Sequence, residues 1–115
     1  MNIEEFREYC LAKQATTESL PFDDNTLVFK VHGKMFTLSG IESFASINLK
    51  CDPEYAIELR EEYEGIQPGY HMNKTHWNTV LNDGSVPDEL MFELIDQSYD
   101  LVVRKIRKKV RDSLK

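Results

Sequence analysis

Ala45-Ser46-Ile47-Asn48-Leu49-Lys50-Cys51-Asp52-Pro53 is the stretch whose reading decides the fold. Ala45, Ile47, Leu49 and Cys51 alternate with Ser46, Asn48, Lys50 and Asp52, the cleanest period-two pattern in the chain, so a strand with one wet face is expected. Asp52-Pro53 then stops the strand and starts a helix. The Asp carboxylate can accept the unpaired amides of a first turn, and Pro at the first helical position gives up an N–H that no helical carbonyl needs.

Toward the N-terminus, Leu27, Phe29 and Val31 alternate with Val28 and Lys30 as in a half-buried strand. His32-Gly33-Lys34 is a short connection, and Gly33 is free to take positive φ. Met35 to Leu38 makes the return strand of a hairpin. Further back, Pro21 and Asp23-Asp24-Asn25 mark an edge segment and a turn. Asn2, three residues before Glu5, is the signature of a helix start. Phe6, Cys10 and Leu11 form that helix's inward face, and Thr16, Thr17 and Ser19 end it near residue 15.

Toward the C-terminus, Tyr55, Ala56, Leu59 and Tyr63 face inward on the helix opened by Asp52, with Arg60, Glu61, Glu62 and Glu64 in solvent and Gly65 at its close. Ile66 to Met72 and His76 to Leu81 read as two further strands around Asn73-Lys74-Thr75, and Asn82-Asp83-Gly84 is a turn. On the second of these strands Leu81 assigns the face of Trp77 and Thr79 to the core, leaving His76 and Asn78 outside. A final helix, capped by Ser85 or Val86, runs from about 87 to 113, roughly 40 Å at 1.5 Å per residue. Met91, Ile95, Tyr99, Val102, Ile106 and Val110 form one apolar stripe along it, and its last two turns are expected to project. The order α-β(3)-α-β(2)-α predicts a two-layer α+β fold, one antiparallel sheet packed by helices, in a single domain over residues 1–115.

Charge is unevenly spread. Residues 104–115 carry seven Lys or Arg and one acid, Asp112, whereas the 103 residues before them carry seven cations against 19 acids. The chain is an acidic body with a basic tail. The tail admits two readings: a patch that binds phosphates, or cations that complement a helix dipole and balance the body. Glu4, Glu5, Arg7 and Glu8 leave no apolar run for a signal peptide, and no stretch approaches a spanning helix, so no membrane partner is expected. Cys10 and Cys51 lie far apart and read as free buried thiols, which fits a cytoplasmic protein.

Between Gly65 and Trp77 the chain concentrates its only Trp and two of its three His. His71 and His76 stand five apart with no second half of a zinc motif, and no glycine-rich phosphate loop or paired CxxC is present, so neither metal nor cofactor is expected. A Cys–His nucleophile pair from Cys51 or Cys10 with His71 has no local support, and the expectation is a domain that is not an enzyme.

Four segments carry a likeness beyond these patterns: Lys-Val-His-Gly-Lys-Met-Phe (30–36), Asn-Leu-Lys-Cys-Asp-Pro-Glu (48–54), Pro-Gly-Tyr-His-Met-Asn-Lys-Thr-His-Trp-Asn-Thr-Val (68–80) and Ser-Tyr-Asp-Leu-Val (98–102). Together they resemble the YjbR/MmcQ family of small bacterial proteins over about residues 15 to 110. The resemblance implies a fold like that of CyaY, the bacterial frataxin, and a predicted DNA-binding role resting on a double-wing-like shape. Its shared segments fall here on Gly33, Lys34, Lys50, His71, Asn73, Lys74, His76 and Trp77, and the chain departs from it in a longer, more basic last helix.

The expected function is therefore a binding domain whose wings are the 27–38 and 70–80 hairpins. Lys34, Lys74, His76, Arg104, Lys105, Lys108 and Lys109 would contact DNA phosphates in a salt-sensitive complex, while His71, Asn73 and Trp77 shape the loop. The alternative is a protein-interaction or chaperone-like module using the sheet face or the apolar stripe around Ile106 and Val110.

Overall fold

A computed structural model describes residues 1–113, so Leu114 and Lys115, the end of the basic run, lie outside it. Helix α1 (Ile3–Leu11) opens on a capping box in which Asn2 accepts the Glu5 amide at 2.8 Å. Strands β1 (Thr16–Ser19), β2 (Thr26–Val31), β3 (Lys34–Gly40) and β4 (Ser46–Lys50) follow, then α2 (Pro53–Glu62), β5 (Ile66–Pro68), β6 (Trp77–Leu81) and α3 (Asp88–Ser113). Asp52 caps α2 through the Tyr55 amide, with Pro53 at its first turn, as the sequence predicts. The strands form one antiparallel sheet in the order β1-β2-β3-β4-β6-β5.

The main core lies between one face of this sheet and the helices. Phe6 and Cys10 of α1, Ala56 and Leu59 of α2, and Met91, Leu94, Ile95 and Val102 of α3 meet Phe29, Ile47, Leu49, Ile66 and Val80. The Phe6 ring packs edge-on to Phe29 at 5.3 Å between centroids. Such burial of contiguous apolar surface is the main force holding the two layers together.

One rung of the sheet is replaced by a side chain. Strands β3 and β4 pair through Ser39↔Ile47, Leu38↔Asn48 and Thr37↔Leu49, and the next rung would join Phe36 to Lys50. Phe36 is the extra residue of a bulge against β2, where Phe29 pairs with Thr37 but Lys30 with Met35. The fully buried Ser98 of α3 enters this gap. Its hydroxyl donates to the Phe36 carbonyl at 2.5 Å, and its oxygen accepts the Lys50 amide at 2.9 Å. Helix and sheet are thus joined by polar bonds at the point where β3 and β4 separate.

Several expectations are corrected. The α+β class holds, but the order gains a strand: Thr16–Ser19, read from sequence only as residues that end α1, is an edge strand whose Thr16 lies opposite Val31. Its polar, β-branched residues are tolerated at an edge and gain order from β2. The strands expected over Ile66–Met72 and His76–Leu81 shorten to β5 and β6, joined by a loop over 69–76. Trp77 does not face the helices. It is 8% exposed on the opposite face, against Val28, Leu38, Met35 and Met72, while Asn78 points inward and is buried.

At the start of α3 neither Ser85 nor Val86 acts as cap. The Ser85 hydroxyl bonds Asp83 and the Val86 side chain is buried, while the Pro87 carbonyl accepts the Met91 amide. Gly65 does not terminate α2, which ends earlier at Glu62; a Cβ there would lie 2.1 Å from the Ser85 Oγ. The end of α3 leaves the core as expected, Val110 being 53% exposed, but Ile106 stays half-buried against it.

Two stability changes follow from this packing. Ser98→Ala strands both the Phe36 carbonyl and the Lys50 amide in the interior, and urea unfolding should show a loss of about 1–3 kcal/mol. Gly69→Ala sets a Cβ 2.8 Å from the Trp77 Cβ and 3.0 Å from the Met72 Cβ. Neither neighbour can rotate away, so a cost of about 1–3 kcal/mol is expected in the same measurement.

Candidate functional site

The β2–β3 turn, the end of β4 and the 69–76 loop all lie at one end of the sheet, because Lys50 pairs with Trp77 and β3 runs back from Lys34 alongside β4. At the turn, His32 and Gly33 take φ of 49° and 78°, the paired left-handed geometry of a tight hairpin. The C-terminal half of α3 passes over this end. Val102, Lys105, Ile106 and Lys109 recur at helical spacing, so apolar and cationic side chains share one side of the helix.

Between that side and the sheet is a groove of about 560 Å³. Its apolar lining is Met35, Trp77, Val102 and Ile106. Its charged lining is Lys34, Lys50, Lys105, Lys108 and Lys109, with Asp112 as the one acid. A neighbouring groove of about 310 Å³ shares Lys50, Lys105 and Lys108 and adds His76, Arg104 and the acid Asp52. The ion pairs among the described residues are Met1–Asp88, Arg7–Glu18 and Lys13–Asp96, so none involves the lysines of either groove.

Burial first, then the nearby Lys105 and Lys34 ammonium groups, holds the Lys50 amine below the ordinary lysine range. Cations that outnumber the carboxylates beside them raise one another's energy, and an anion placed among them relieves it. Cys51 also borders the second groove, and burial pushes its thiol up to about 11, so at neutral pH it remains a thiol.

The expected site residues divide into two groups. Lys34, Lys105, Lys108 and Lys109 come together in the first groove, and His76 and Arg104 join Lys105 and Lys108 in the second. Lys74 does not join them, because its amine donates to the Gly69 carbonyl at 3.0 Å and closes its own loop. Asn73 organises that loop: its Oδ1 accepts the Thr75 amide at 2.9 Å and its carbonyl the Trp77 amide at 2.9 Å. His71 sits at φ 58° with its ring 4.0 Å from Tyr70, exposed and outside both grooves.

Two residues gain roles that their local patterns did not assign. Lys50 stands in both grooves; its place on the polar side of the β4 alternation was the available signal. Arg60, expected in solvent, donates to Asn78 Oδ1 at 2.7 Å and to the carbonyls of Lys74 and Trp77. It ties α2 to the loop, and nothing in the helix pattern distinguishes it from a solvated arginine. Among the described residues no three His, Cys, Asp or Glu side chains gather as a metal-holding group, and no helix is long and apolar enough to cross a membrane.

Comparison with known proteins gives a consistent picture. The family model YjbR matches residues 11–101. An uncharacterised protein named YjbR from Escherichia coli K12 is 35% identical over 115 residues, covering 99% of this chain and 98% of its own. The uncharacterised YyaQ of Bacillus subtilis is 37% identical over 75 residues, 65% of this chain and 63% of its own. A crystal structure of Deinococcus radiodurans protein DR2400, with a DUF419 domain, superposes with a TM-score of 0.86 at 44% identity, over 90% of this chain and 80% of that one. A crystal structure of a protein from Pseudomonas syringae gives 0.73 at 33% identity, over 88% and 98%. With a matching family model over most of its length and a relative aligned end to end, the chain belongs to the YjbR family.

Proposed function

We propose that this protein is a binding domain, not a catalyst, and that its basic end holds nucleic acid by the phosphate backbone. The observation that carries this is the gathering of Lys34, Lys50, Lys105, Lys108 and Lys109, with Arg104 and His76 beside them, at the end of the sheet where the hairpin turns lie. A phosphate backbone needs closely spaced cations in excess over carboxylates, and releases counterions when it binds them. The acidic remainder of the chain repels the same polymer, which confines contact to this end and makes it sensitive to salt. Two free buried cysteines suit a reducing cytoplasm as the setting.

Fluorescence anisotropy of labelled duplex DNA tests the proposal. With about six cations engaged, affinity should fall about a thousandfold between 50 and 200 mM salt. Replacing Arg104, Lys105, Lys108 and Lys109 together by Gln should abolish most binding and lower the salt slope by about four. Absence of binding at the lower salt overturns the reading, whereas a salt-insensitive partner that is lost on Ile106→Asp would point to a protein ligand.

Lys50 adds a pH signature. Its folded pKa lies below its unfolded one, so its charge costs stability at pH below the folded value, and that cost is relieved as pH rises through it. A bound phosphate acts in the opposite sense and favours the charged form. DNA affinity should therefore begin to fall at a lower alkaline pH in the native protein than in Lys50→Arg, whose charge persists. Superimposable pH profiles would remove Lys50 from the contact set.

A further inference from the structure

We propose that the groove under α3 is a site for a small amphipathic anion, an organic molecule with a phosphate, sulfonate or carboxylate head and an apolar body. It shares lysines with the nucleic-acid reading but does not rest on it. A phosphate backbone can be gripped by exposed cations alone and has no use for an apolar lining. Here Met35, Trp77, Val102 and Ile106 form such a lining directly beside the lysines. A volume of about 560 Å³ lies within the roughly 300–1,000 Å³ common for organic ligands.

Charge defines the head of the ligand. Five lysines and one aspartate line the groove, and none of the five lysines lies in an ion pair among the described residues. Lys50 is half-buried where the other four are exposed, and that burial disfavours its charged form. A neutral ligand would leave that charge uncompensated, and an anion relieves it. The body of the ligand is defined by the apolar side chains of Met35, Trp77, Val102 and Ile106, which line the groove beside the lysines.

The only tryptophan of the chain borders the groove and serves as an internal reporter. The probe is 8-anilinonaphthalene-1-sulfonate, an anion with an aromatic body, titrated into the full chain at moderate salt with near-UV circular dichroism confirming native packing. Saturable one-to-one binding with energy transfer from Trp77 is expected. Lys50→Gln combined with Lys105→Gln should weaken it by about tenfold or more through loss of the head contacts. Ile106→Ser should weaken it similarly through loss of apolar contact while leaving DNA affinity within about twofold, because every cation remains. Decyl phosphate should displace the probe at concentrations at least about tenfold lower than inorganic phosphate.

Binding without transfer from Trp77, or indifference to both the lysine and the Ile106 substitutions, overturns the proposal. Equal potency of the two phosphates overturns the role of the apolar lining. Probe binding that obeys these rules in a protein with no DNA affinity leaves the groove standing and removes the nucleic-acid reading. The reverse pattern removes the groove and leaves that reading intact.

Discussion

A single serine hydroxyl between two strands sets the geometry on which the basic end depends. Ser98 stands where a direct Lys50-to-Phe36 backbone bond would close the β3–β4 ladder. Buried backbone groups must be paired, and one hydroxyl can donate once and accept once, so it satisfies both. A serine in mid-helix often bonds back to its own helix; here the sheet supplies better partners. The bond also fixes the depth of α3 over the sheet. Val102, Lys105 and Ile106 lie one and two turns further along, so their positions over the groove follow from it.

Charge partition gives that geometry its chemical character. The acids are spread over α1, β1, α2, the loops and the start of α3, where they meet solvent or the scattered cations Arg7 and Lys13. The cations of the last helix lie where β3 and β4 present Lys34 and Lys50. Like charges are kept apart in most folds because each raises the energy of its neighbour. Their gathering beside apolar side chains, with burial already disfavouring the charge on Lys50, is a cost that an anionic ligand offsets.

The loop over 69–76 is held from several directions. Arg60 reaches it from α2, Asn73 folds it on itself, and the Tyr70 amide donates to Thr79 Oγ1, whose hydroxyl in turn donates to Asn48. The loop packs down on Trp77, with Gly69 too close to admit a side chain. Trp77 packs with Val28 and Leu38 and also lines the groove. The clustering of Trp and His in this stretch marks a structured loop: His76 reaches the second groove, and His71 and Lys74 do not enter either one.

Local chemistry was enough to place most elements. Asn2 and Asp52 cap helices because their side chains reach free amides within three residues, and the β2–β3 turn follows from Gly33. The positions of Lys34, Lys105, Lys108 and Lys109 were legible as cations for the same reason: charge is a property of the residue. Four features were not decided by local signals. The strand at Thr16–Ser19 exists through its pairing with β2, and the face taken by Trp77 was set by the loop and α2 against the hint from Leu81. Lys50 acquired its role from α3, whose Ser98 lies 48 residues on, and Arg60 from the 69–76 loop, whose Lys74 lies 14 residues on. Sequence alone determined what depends on neighbours along the chain: helix ends, alternation, turns, and the split between acidic body and basic tail. Tertiary structure decided which cations share a groove, because only the packing of α3 across the opened β3–β4 rung brings residues 34, 50 and 105 onto one surface.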